Sequence, residues 1–126
     1  MATQAAIRKL DKVFSEYVRR RHADFSGRTE CFTCSRMEFW DEMDAGHFMP
    51  RACMSTRFDM KNVQPQCRKC NRHKNGMREE FARNLDAVFG MGTAEHLRER
   101  SKRIAIWTDL HIQTKIEIYQ SRLKQL

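Results

Sequence analysis

The chain has 126 residues, 40% hydrophobic and 32% charged, a balance that suits one soluble globular domain and excludes a disordered chain. Lys and Arg outnumber Asp and Glu by 24 to 16, giving a net charge of +8 and an isoelectric point near 9.6. The expected partner is therefore a polyanion, nucleic acid ahead of membrane. No apolar run approaches the roughly 18–20 residues of a membrane span. Met1–Ala6 also has no basic region leading into an apolar core, so a cytoplasmic chain with no membrane partner is expected. In that compartment cysteines are expected as thiols or metal ligands rather than disulfides.

Ile7, Leu10, Phe14, Tyr17 and Val18 recur at helical spacing over residues 4–22, predicting an N-terminal helix that ends in Arg19-Arg20-Arg21-His22. Those cations suit a helix C-terminus, and contact with phosphate is an equally open use for them. Ser26-Gly27 breaks the helix. Cys31–Phe48 has short apolar pieces without helical period, which predicts a β-hairpin or extended loop. Met49 precedes Pro50 and is expected to be non-helical, and 51–62 reads as an irregular basic connection. Met77, Phe81, Leu85 and Val88 predict one face of a helix stopped by Gly90. Thr93 is the expected N-cap of a helix reaching Arg103 with Leu97 inward. Thr108 is the expected cap of a last helix with Ile112, Ile116, Tyr119, Leu123 and Leu126 at alternating four- and three-residue spacing. That stripe suits either an internal core face or a pairing seam between two chains.

The centre of the sequence carries the chemistry. Cys31-Phe-Thr-Cys34 and Cys67-Arg-Lys-Cys70 are two Cys-x-x-Cys knuckles, and each delivers two thiolates from one turn. Together they predict a closed Cys₄ site for structural Zn²⁺, with no position left for a catalytic water. Cys53 stands outside this pattern and reads as a packed or free thiol. Between and beside the knuckles lie Asp44, His47, Asn62 and Asn71. A hard cation, Mg²⁺ or Mn²⁺, prefers oxygen ligands, which Asp44 and Asn71 offer. His47 titrates near neutrality and suits a general base, with Asn62 expected to orient its ring. Asn62 as a simple turn cap is the plainer alternative. Arg51, Arg57, Arg72 and Lys74 are candidate DNA contacts. His73, Glu79 and Glu80 read as solvated side chains, and His22, His96 and His111 receive no functional reading.

Cys-x-x-Cys, Asp-x-x-His and Asn-Val-Gln-x-x-Cys-x-x-Cys-Asn, in that order, resemble the HNH (ββα-metal) nucleases. The Asp-x-x-His and Cys-x-x-Cys-Asn elements are most similar to the phage endonuclease VII type, which resolves Holliday junctions. The string from Asp44 to Phe48 and the block from Asn62 to Gly76 resemble the phage recombination family NinG, also called Rap. The likeness covers most of residues 31–90 and, more loosely, the C-terminal helices. It implies a helix-rich α+β fold. An N-terminal helix (1–25) would precede a zinc-stapled ββα-metal core (26–90), with C-terminal helices (91–126) completing a single domain. It implies divalent-metal-dependent cleavage of branched DNA such as Holliday junctions and D-loops, by a homodimer, inside a bacterial host. Carried over by position, His47 is the base, Asp44 and Asn71 are the catalytic-metal ligands, and Asn62 is the central Asn. Asn71 stands where many HNH enzymes have His. Gly46 stands where many place their acidic ligand, so Asp44 fills that role only if the loop folds it inward. Two rival readings from other classes are a basic zinc ribbon that binds nucleic acid without cutting it, and a zinc-stapled scaffold whose last helix pairs with a protein.

Overall fold

The computed structural model describes residues 1–126 and is α+β and helix-rich, with two small antiparallel ribbons between long helices. Helix α1 (Gln4–Arg20) starts at Thr3, whose hydroxyl accepts the Ala6 N–H at 3.1 Å. Its Ile7, Leu10, Phe14 and Val18 are buried, as the periodicity predicts. Strands β1 (Arg28–Glu30) and β2 (Met37–Phe39) pair around the first knuckle, Arg28 opposite Phe39 and Glu30 opposite Met37. A single 3₁₀ turn, Trp40–Glu42, leads into β3 (Met43–His47), which pairs with β4 (Val63–Cys67). Pro65 is tolerated in β4 because a two-stranded ribbon leaves one edge of each strand unpaired. Its carbonyl instead accepts the Phe32 N–H at 2.8 Å, tying the first knuckle to the second ribbon.

After β4 the chain makes a wide helical turn at Lys69–His73. It reverses through left-handed Asn75, Gly76 and Met77 before α2 (Arg78–Phe89). Gly90, at φ 113°, ends α2 as expected. Helix α3 (Thr93–Ser101) and helix α4 (Asp109–Lys124) follow, and Thr108 caps α4 by accepting the His111 N–H at 3.2 Å.

Four expectations about the helices need correction. Phe81 and Leu85 are buried, but Val88 is 63% exposed, because α2 packs only along its first two turns. Met77 lies outside α2, against the cysteine cluster. Thr93 is not the N-cap of α3. Gly92 holds that position, and the Asp86 carboxylate accepts the Ala94 N–H across the turn at 3.0 Å. The helix also stops at Ser101, short of Arg103.

The largest apolar cluster joins α1 to α4. Leu10, Phe14, Ile112, Ile116 and Tyr119 meet Phe58 and Val63 there. The Phe14 ring packs edge-on against Phe58 and Tyr119 at 5.8 and 5.0 Å, and each such pair adds roughly 0.5–1.5 kcal/mol to plain burial. The α4 stripe is thus an internal core face, with Leu123 half-buried and Leu126 exposed at its end. It offers no seam for a second chain. A smaller cluster of Phe48, Phe81, Leu85, Ala94 and Leu97 seats α2 and α3 on the end of β3. No helix is long and apolar enough to cross a membrane.

Candidate functional site

The four knuckle cysteines converge between the two ribbons, their sulfurs all within 4.8 Å of one another. Cys34 and Cys67 Sγ are 3.7 Å apart, far beyond the ~2.05 Å of a disulfide. A tetrahedron with Zn–S bonds of ~2.3 Å has edges of roughly 3.8 Å, so the spacing fits a metal such as Zn²⁺. The thiols are also electrostatically ready for a dication. Burial pushes the Cys31 thiol up. The Thr33 hydroxyl and backbone N–H groups, including that of Cys67 at 3.3 Å, outweigh burial and hold it at about 7. Burial and the neighbouring sulfurs push Cys70 up to about 12. One thiolate forms readily and further ones are opposed until a cation shares their charge. These are the only His, Cys, Asp or Glu side chains that gather three or more donor atoms.

Strand β3 crosses directly beside this cluster. Met43 at its start packs against the cysteines, and Asp44 and His47 further along line an open cleft of about 510 Å³. Asn71, on the turn after Cys70, lines the same cleft, and Arg19, Arg51, Arg68 and Arg72 surround it. Asp44 is clasped rather than free. Arg72 Nε and Nη2 donate to its two oxygens at 2.8 and 2.9 Å, and the Asn71 amide donates at 2.9 Å. Burial works against the Asp44 charge, but these donors and the Arg72 and Arg68 charges hold its carboxyl below the ordinary value of 3.8. His47 Nε2 lies 3.1 Å from the Arg57 carbonyl. A carbonyl only accepts, so Nε2 carries the proton of the neutral ring. Burial holds the His47 pKa below 6.5 against the pull of that carbonyl, with the Arg51 charge adding to the depression.

A model of the family described as the bacteriophage lambda NinG protein matches residues 2–126. The chain belongs to the NinG family. Proteins named ninG from Salmonella phage P22 and from Escherichia phage lambda are 27% and 26% identical to it, each over 95% of the chain. This NinG-family chain spans 57% and 56% of the length of those two relatives. A ninG protein of Escherichia phage 933W matches over the same share at 26% identity. No solved structure matches it.

Within this NinG-family chain the sequence-predicted residues divide into those the fold gathers and those it uses elsewhere. Asp44, His47, Asn71 and Arg72 share the cleft, and Arg51 is at its edge. The Asn62 side chain makes no hydrogen bond to His47. It is fully buried, its Oδ1 accepting the Met49 N–H at 2.8 Å and its Nδ2 donating to the Met49 and Thr56 carbonyls, each at 3.1 Å. It fastens the 49–62 loop to the start of β4, and the imidazole is held by Arg57 instead. Arg57 is not a free cation either. Its Nε donates to Asp11 on α1 at 3.0 Å, and its side chain is only 14% exposed. Lys74 and His73 are exposed and outside the cleft, and Glu79 and Glu80 meet Arg83 on the solvated face of α2. Cys53 is a half-buried thiol.

Sequence reading left the role of one participant open, Arg19, and missed two others. Arg19 reaches the cleft from α1, while its neighbours differ in role: Arg20 pairs with Glu16, and Arg21 donates to the Met60 carbonyl and to Gln64. Arg68 lies between the two cysteines of the second knuckle, a position that a tight turn must push outward, and that spacing was the available signal. The third is Gln66. Its side chain fills the space a Cβ would need at Gly46, and its Nε2 donates to Thr33 Oγ1 and the Gly76 carbonyl at 3.1 and 2.9 Å. Gly46 precedes His47 because nothing larger fits beside Gln66.

Proposed function

We propose that this chain is a metal-dependent endonuclease that cuts branched DNA, such as Holliday junctions and D-loops, during phage recombination. One observation carries the reading. Asp44 and His47 come from β3 and Asn71 from the turn after β4, yet they line a single arginine-rimmed cleft beside a zinc-competent cysteine tetrad. The β3–β4 ribbon followed by a helical turn, with an acid, an imidazole and an amide lining one cleft, supports the reading of a ββα-metal core. The similarity to named ninG proteins places the chain among phage relatives and supports the recombination setting.

The residues have separable tasks. With Nε2–H on the Arg57 carbonyl, the other ring nitrogen of His47 takes the proton from water. Its depressed pKa keeps the ring neutral, and so basic, at physiological pH. Arg19, Arg51 and Arg68 attract the phosphodiester backbone. Asp44 and Asn71 are the ligands for Mg²⁺ or Mn²⁺, which when bound would neutralise charge on the phosphate and the leaving oxygen. The donor set fits such an ion. It offers one carboxylate and one amide oxygen, and Mg²⁺ takes its remaining ligands from water and substrate. Arg72, whose side chain is 57% exposed, must leave Asp44 for this, and Asn71 must turn its amide oxygen inward. Substrate phosphate is the natural new partner for Arg72. Two cuts across a four-way junction need two sites, and so a homodimer.

The test is cleavage of four-way junction, D-loop, linear duplex and single-stranded DNA by wild type and His47→Ala, with Mg²⁺ or Mn²⁺ and without either. Cutting of branched DNA only by the wild type with metal is the expected result. Binding without cutting under every condition would sink the nuclease and leave a zinc module that only binds nucleic acid.

A further inference from the structure

We propose that Phe39, at the end of β2, and the half-buried Trp40, which opens the 3₁₀ turn after it, form a stacking platform for an unpaired DNA base next to the cleft. The inference rests on the DNA-cleaving reading above. Phe39 is 43% exposed, and Met37 beside it on β2 is 50% exposed. The Phe39 and Trp40 rings both flank Gly27, within 3.9 Å of where a Cβ would stand. Isolated exposed apolar groups are ordinary on protein surfaces, but these are surrounded by cations. The Arg28 guanidinium lies 5.1 Å from the Phe39 centroid, and those of Arg19 and Arg20 each lie 5.2 Å from that of Trp40.

The link to the cleft is Arg19. It lines the cavity beside Asp44, donates to the Trp40 carbonyl at 3.4 Å, and its other bonds go to the Ser15 carbonyl and hydroxyl. Its charge is thus left for an anion. Aromatic rings interleaved with arginines suit nucleic acid: the rings stack on bases and the cations hold the intervening phosphates. A base inside a duplex already has both faces covered, so only an unpaired base can use Phe39. Such a base occurs where strands part at a branch. The platform would therefore favour branched or frayed DNA over continuous duplex, which the cleft residues alone cannot do.

The experiment uses the full, zinc-loaded chain without added Mg²⁺. The chain has two tryptophans. Trp107 is half-buried with its Nε1 donating to the Met54 carbonyl, so a Trp107→Phe background isolates Trp40 fluorescence. Titration with oligo(dT) should quench Trp40 strongly, and blunt duplex of equal length should quench it weakly. Phe39→Ala should weaken oligo(dT) binding roughly 5- to 150-fold, the range for losing one stacked base, with less than about a threefold change for duplex. Phe39→Leu, which keeps apolar bulk without a ring, should behave like Phe39→Ala and guards against a misfolded variant. Equal affinity of wild type and both variants for oligo(dT), or equal loss on both DNAs, overturns the platform. So does an unquenched Trp40 with a protein partner competing for this face. Quenching with no cleavage of any DNA in Mg²⁺ or Mn²⁺ would instead remove the nuclease and keep the platform.

Discussion

Gly46→Ala offers the sharpest test of how β3 is built. An alanine Cβ there would stand 1.8 Å from Gln66 Oε1 and 2.6 Å from its Cδ, so Gln66 must leave its place. It is fully buried and holds Thr33 and the Gly76 carbonyl, thereby joining the first knuckle to the turn after the second. Moving it forfeits two hydrogen bonds worth about 1 kcal/mol each and leaves buried partners unpaired. Overpacking adds about 1–3 kcal/mol. The sum is about 3–5 kcal/mol. For a chain of this size 1 kcal/mol moves the melting temperature by roughly 4 °C, so Tm should fall about 12–20 °C. The assay is thermal unfolding by circular dichroism in saturating Zn²⁺, for Gly46→Ala, Gln66→Ala and the double variant. With Gln66 truncated the obstruction is gone, so Gly46→Ala should then cost under about 0.5 kcal/mol. A single variant melting within about 2 °C of wild type, or costing the same in both backgrounds, would refute the packing account.

Other expectations are as direct. Cys67→Ser should lower bound zinc from one equivalent per chain to well below one, measured by atomic emission, with loss of the cooperative melt, because the tetrad links two ribbons that share little other core. The His47 pKa is lowered by burial, so the base is neutral above it: single-turnover cleavage should rise with pH through a value below 6.5 and then level off. By the same sign, the unfolded chain binds the His47 proton first. This residue's share of stability is complete above about pH 6.5 and is lost as pH falls through the folded value, a loss that His47→Gln should remove from the stability–pH curve. Asp11→Asn breaks a pair with Arg57 whose side chains are only 17% and 14% exposed, and should cost about 2–3 kcal/mol in denaturant unfolding. Because Arg57 supplies the carbonyl that holds His47, that variant should also shift the cleavage pH profile; an unchanged profile would show that Asp11 acts on stability alone.

The sequence carried most of what repeats and little of what is reached across space. Helical period placed α1 and α4, and knuckle spacing placed all four thiols, because these signals lie within a few residues of one another. The cleft followed in part. Asp44, His47 and Asn71 were recognisable from their order between and directly after the knuckles, since a hairpin gathered at one end by four cysteines leaves few places for those side chains. What stayed hidden were partners distant along the chain: Asp86 capping Ala94, Asp11 taking Arg57, and Gln66 occupying the space beside Gly46. Asn62 shows why role is harder to read than identity. Asn at that position suits an imidazole partner and a loop fastener equally well, and only the backbone of residues 49–56 decides between them.

Arg72 carries that point into function. From sequence it is one more cation beside Asn71; in space it neutralises the carboxylate proposed to receive the catalytic ion. Without substrate, four arginines around Asp44 would otherwise repel one another, and the ion pair costs little to break because Arg72 is exposed. Phosphate entering the cleft competes for the same guanidinium, so DNA binding itself would uncover Asp44 for the metal. Ion binding and DNA binding should then be cooperative. Arg72→Ala should bind Mn²⁺ more tightly in the absence of DNA, read by electron paramagnetic resonance, while losing the DNA-induced gain that wild type shows. An identical DNA-induced gain in both proteins would mean that Asp44 was never held closed by Arg72.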